Sequence, residues 1–153
     1  MAAPNFQPIW GLTPNVGNAT ITTTSAVTSS NGATAGSGVN TMFKAFTAGA
    51  QGSYIDTIRF FSVATGSITG VATVLRAYTS TVASPGATTA ADTFLLGELS
   101  VPAVASANST NATSYYDMPI NKAVNSGSFI HVSQHVAQTT NQNWIAQVWG
   151  LDY

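Results

Sequence analysis

The sequence predicts an all-β fold: an antiparallel β-sandwich, jelly-roll-like, of about eight strands, with an extended N-terminal arm. Three observations carry this. No apolar stripe at i, i+3, i+4, i+7 is sustained over a dozen residues, so no amphipathic helix is indicated. Short β-branched or aromatic runs recur instead, bounded by clusters of Gly, Asn, Ser and Pro. Finally, the 153 residues are 44% hydrophobic, enough for one domain with one core.

The elements follow in chain order. Residues 1–17 carry Pro4, Pro8 and Pro14 among Phe6, Ile9, Trp10 and Leu12. Three prolines argue against a regular internal strand, and the apolar residues argue against a solvated tail. The arm is therefore expected to dock on something, with the sandwich domain occupying residues 18–153. Residues 19–28 (ATITTTSAVT) read as the first strand and residues 41–47 (TMFKAFT) as the second. In residues 54–63 (YIDTIRFFSV) the set Tyr54, Asp56, Ile58, Phe60 is taken as the core face.

Residues 70–79 place Val71, Thr73, Leu75 and Ala77 on one face. Residues 93–101 (TFLLGELSV) have Gly97 at their centre, which signals a bulge or a close backbone approach. Residues 114–118 form a short strand ending at Pro119. Its consecutive Tyr115 and Tyr116 must face opposite ways, so one sheet can bury only one of them. Residues 128–138 alternate, with Ile130, Val132 and Val136 inward and His131, Ser133 and His135 outward. Residues 144–150 (WIAQVWG) close the domain. Between these elements, residues 29–40, 83–92 and 103–113 read as long Gly, Ala, Ser, Thr and Asn loops.

Charge is the unusual feature. Only 6% of residues are charged, against about 25% in a typical soluble domain. The polar surface is made of hydroxyls: 22 threonines and 16 serines. The four basic residues, Lys44, Arg59, Arg76 and Lys122, are scattered and the net charge is −1. Nucleic acid and anionic membranes need clustered Lys and Arg, so neither partner is expected. No run approaches 18 apolar residues, and no signal peptide is seen before residue 13. Cysteine is absent, which removes disulfides and thiolate chemistry.

Catalytic or metal-binding constellations do not emerge. His131 and His135 lie four apart, roughly 13 Å along a strand, too far to share one ion. They are expected to be exposed strand histidines. The five carboxylates, Asp56, Asp92, Glu98, Asp117 and Asp152, are dispersed and read as ion-pair or turn residues rather than a glycosidase pair. No serine-nucleophile motif is present, and Gly36-Ser37-Gly38 lacks the lysine and helix of a phosphate cradle. No enzymatic activity, cofactor or metal is expected. The aromatics are the better candidates. Trp and Tyr favour interfaces because they bury much area with few rotamers. Phe6, Ile9, Trp10 and Leu12 of the arm, with Trp144, Trp149 and Tyr153 near the C-terminus, form the expected contact set.

A surface of hydroxyls and methyls costs little to desolvate against another protein, because few ions are stripped of water. Three segments then carry a family resemblance: residues 13–20 (TPNVGNAT), residues 46–59 (FTAGAQGSYIDTIR) and residues 95–102 (LLGELSVP). In this order they resemble a family of small tailed-phage structural proteins of the capsid decoration, or cement, type. The resemblance spans roughly residues 13 to 153, with residues 83–92, 103–113 and the arm as departures. It implies a virion protein made in the host cytoplasm, seated on the outer capsid surface and bridging major capsid protein subunits. It also implies a homo-oligomer, a trimer first and a dimer next. The alternative is a tail or fibre component that binds a host receptor or glycan, for which Asn141-Gln142-Asn143-Trp144 is the best local candidate.

Overall fold

A computed structural model describes residues 13–22, 42–64, 69–85, 88, 91–103 and 114–153. They form eight strands: β1 (Thr13–Ile21), β2 (Phe43–Thr47), β3 (Ser53–Ala64), β4 (Thr73–Ser80), β5 (Thr93–Val101), β6 (Tyr115–Val124), β7 (Phe129–Gln134) and β8 (Gln142–Asp152). The strands make two four-stranded sheets, β1-β8-β3-β6 and β2-β7-β4-β5.

The topology is that of one long hairpin rolled up. First pairs with last, second with seventh, third with sixth and fourth with fifth, all antiparallel. Rolling then brings β3 against β8 and β4 against β7. This is the eight-stranded jelly roll, the expected sandwich form. Between the sheets lie Ile21, Phe46, Ile55, Ile58, Phe60, Leu75, Ala77, Ile130, Val132, Trp144, Ala146 and Val148, all buried in one cluster. Fully burying each larger member contributes about 1.5–3 kcal/mol.

Glycine sets how closely the sheets approach at one side. A Cβ on Gly17 would lie 2.0 Å from the Ala45 carbonyl oxygen, so only glycine lets β1 and β2 meet there. Gly97 acts similarly on the other side, where a Cβ would press the Met118 sulfur at 3.0 Å. The β4–β5 register also shifts between Ala77 and Tyr78, opposite Gly97 and Leu95. Bulge and close approach thus coincide at Gly97.

Several boundaries differ from expectation, each for a physical reason. β1 begins at Thr13, so residues 13–17, assigned to the arm, are already paired with β8. Pro14 fits because β1 is an edge strand, where a missing N–H is harmless. The same holds for Pro119, which does not end β6: the strand is an edge and runs on to Val124. In β3 the core set is Ile55, Ile58 and Phe60, while Asp56 is exposed and Tyr54 only half-buried. A register shift between Ile55 and Thr57 inserts Asp56 and reverses the parity. Val71 and Val136 lie beyond their strands and are exposed. Residues 1–12, 23–41, 65–68, 86–87, 89–90 and 104–113 lie outside the described residues.

Candidate functional site: the outer face of one sheet

The outer face of the β1-β8-β3-β6 sheet is built by simple alternation. In β8, Trp144, Ala146 and Val148 point into the core, so Ile145, Gln147 and Trp149 point out. Cross-strand register arranges the outward residues in four rows. Pro14, Leu151, Tyr54 and Ala123 form the first, and Val16, Trp149, Thr57 and Pro119 the second. Asn18, Gln147, Arg59 and Asp117 form the third, and Thr20, Ile145, Phe61 and Tyr115 the fourth.

Most of this face is apolar and wet. Tyr115 is 57% exposed, Val16 52% and Trp149 44%. A shallow depression of about 280 Å³ lies among Pro14, Val16, Tyr54, Asp56, Trp149 and Leu151. Its one carboxylate, Asp56, is the residue that the bulge in β3 turns outward.

The charges in the third row neutralise each other. Arg59 donates from Nε and Nη2 to the two oxygens of Asp117 at 2.6 and 2.7 Å. That fork of hydrogen bonds holds Asp117 below the usual carboxylate range and raises Arg59 above its own. The guanidinium also lies 4.5 Å from the Tyr115 ring centroid and 5.8 Å from that of Trp149. Phe61 leans on Tyr115 at 6.4 Å. The site is thus an aromatic and aliphatic surface with its single cation locked in place.

One end of the face is anchored by Asp152. Burial pushes this carboxyl up, but bonds from Ser53, from Asn15 and from the Gly49 N–H outweigh it and hold the group below its ordinary value. Asn15 Nδ2 donates to both carboxylate oxygens at 3.0 Å. The cluster ties β1, β3 and β8 together, and the Tyr153 N–H adds a bond to the Gly52 carbonyl at 3.2 Å.

Of the expected contact residues, Trp149 lies centrally on this face and Tyr153 is half-buried at its edge. Trp144 does not belong to it. Its ring is fully buried and meets Tyr116 edge-on at 6.0 Å, because its parity in β8 is that of the core. Phe6, Ile9, Trp10 and Leu12 lie outside the described residues. Sequence reasoning missed Val16, Phe61, Ile145, Leu151 and the Arg59–Asp117 pair. The signal was available: β3 carries bulky residues on both parities, Phe60 and Phe61, and only one can face the core.

The opposite outer face, on β2-β7-β4-β5, is polar and closed. His131, expected to be exposed, is fully buried, with Nε2 2.9 Å from the Val82 carbonyl. His135 lies past the end of β7 and meets Arg76 Nη1 at 3.1 Å through Nδ1. Arg76 also binds Glu98. Among the described residues no group of three His, Cys, Asp or Glu could hold a metal, and no helix is long and apolar enough to cross a membrane. Of the Asn141–Trp144 stretch only Asn141 belongs to the turn, with φ 70°; the other three residues open β8, where Gln142 and Trp144 are fully buried.

No family model matches the chain, and neither a curated protein nor a solved structure does.

Proposed function

We propose that this protein is a virion decoration protein, which binds the outer surface of a phage capsid and stabilises the shell by bridging major capsid subunits. The observation that carries the reading is the exposed apolar face around Trp149, whose one Arg and facing Asp already satisfy each other. Such a face loses little by leaving water and gains by burying Trp149, Tyr115 and Val16. The family resemblance of residues 13–20, 46–59 and 95–102 supports the same role.

The physical mechanism is linkage. A protein that binds the assembled shell but not separated subunits shifts the equilibrium toward the shell. Many copies, each bridging two subunits, convert modest site affinity into high avidity. The chain contributes no chemistry, only a stiff jelly roll that presents one sheet face.

The test is occupancy on purified particles, imaged with and without the protein. Wild-type protein added to undecorated shells should fill a regular lattice of surface positions. Trp149→Ser with Val16→Ser should reduce occupancy at least about tenfold, the scale of losing a central aromatic anchor. Particles that never contain the chain, or a double variant that decorates normally, would refute the reading.

A further inference from the structure

The four edge strands of the two sheets are not alike. β1 carries Pro14 and meets β2 closely at Gly17. β2 has only five residues, a register shift and Lys44. β6 carries Pro119, Lys122 and a positive-φ residue, Asn121. Proline, lysine, shortness and distortion are the devices that keep an edge from pairing with a stranger. β5 is nine residues long with no proline and no basic residue, and its one charge, Glu98, is engaged by Arg76. Its bulge at Leu96 is the only such device among its residues.

β5 also exposes apolar bulk. Phe94 is 60% exposed and Leu95 39%. Phe94 lines a groove of about 220 Å³ together with Leu96, Ala123 and Val124 and with polar residues that include Asp92 and Asn125.

We propose that β5 is a self-association site, where a second copy of this chain adds its own β5 antiparallel to the first and each Phe94 ring lies diagonally against the other copy's Leu96. Antiparallel addition of one edge strand to its own copy uses the same patch on both, which is a two-fold contact. A two-fold near Leu96 sets Leu95 against Gly97, Phe94 against Glu98 and Asp92 against Ser100, so no carboxylate faces another. Backbone hydrogen bonds would join two four-stranded sheets into one of eight strands. A trimer would need a head-to-tail contact between two different patches, which this surface does not offer. The site is separate from the Trp149 face and stands whatever the role of that face.

Sedimentation of the full chain over a wide concentration range tests the proposal. A monomer–dimer equilibrium is expected. Phe94→Ser should weaken it at least about tenfold and Ser100→Asp, which sets a carboxylate against the other copy's Asp92, comparably, each with an unchanged melting temperature in dilute solution. Hydrogen exchange on unmodified protein gives a second reading: amides within residues 93–101 should gain protection as concentration rises. A chain that stays monomeric at about 1 mM, a trimer, or a dimer indifferent to both substitutions would overturn the proposal.

Discussion

The two sheets of this jelly roll share a core but have opposite outer faces. On β1-β8-β3-β6 the outward residues are apolar and exposed, with Trp149, Tyr115, Val16 and Leu151 in water. On β2-β7-β4-β5 the centre is polar and buried: Arg76, Tyr78, His131 and Ser133 are each less than a tenth exposed, while Lys44, Leu95 and Glu98 around them reach water. The usual rule of apolar-in and polar-out holds between the sheets and is broken on the first outer face. The polar face pairs several of its own groups, as in the Val82 bond to His131 Nε2 and the Glu98 bond to Arg76, while the buried His131 Nδ1 has no hydrogen-bond partner among the described residues. The apolar face has no such internal solution among the described residues.

The comparison can be broken most severely at the seam of the two sheets. Gly17→Ala would drive a methyl into the Ala45 carbonyl and separate β1 from β2. A loss of about 3 kcal/mol is expected, read as a lowered denaturant midpoint. Next in size is the closed face. Arg76→Leu removes the partner of Glu98 and a contact of His135, and should cost about 2 kcal/mol, moderated because Glu98 is half hydrated.

Acid sharpens the contrast further. Burial pushes the His131 pKa down, against an opposing bond to Val82, with Lys44 lowering it further and Asp92 raising it. The unfolded chain, with its His near 6.5, then binds more protons than the native state between that value and the depressed native one. Stability should therefore be full above pH of about 6.5 and fall as pH drops through that window. The melting temperature should decline more steeply between pH 7 and 5 in wild type than in His131→Phe. An equal slope would show that another group controls the acid limb. Asp117 and Asp152, both depressed, act lower: their contribution is present above their unfolded value of 3.8 and is lost as pH falls through their native values.

The smallest expected effect is on the open face. Trp149→Ser should change stability by no more than about 0.5 kcal/mol, since the ring is already half in water. A large loss in thermal melting would mean that the ring supports the fold, and the contrast between the two faces would weaken.

Much of the fold was legible from local pattern. β-Branched and aromatic runs bounded by turn residues located β2, β3, β4, β5 and β7, alternation gave the inward Ile130 and Val132 of β7, and Gly97 announced its bulge. Trp149 is expected as a contact aromatic because Trp buries much area with few rotamers, and the structure leaves it exposed on an outer face. Trp144 was picked for the same reason and proved to be core, because composition does not reveal the parity of a side chain in its strand.

What the sequence determined by itself was the class: an all-β chain with hydroxyls in place of charges, because β-branched runs and turn residues are local signals. Only the tertiary structure decided which residues face water together. The Val16–Trp149 and Arg59–Asp117 neighbours are far apart in the chain and meet through cross-strand register. One inserted residue, Asp56, was enough to reverse the faces along β3. Register depends on how the rolled hairpin closes, and closure depends on contacts between its two ends, which no short window of sequence contains.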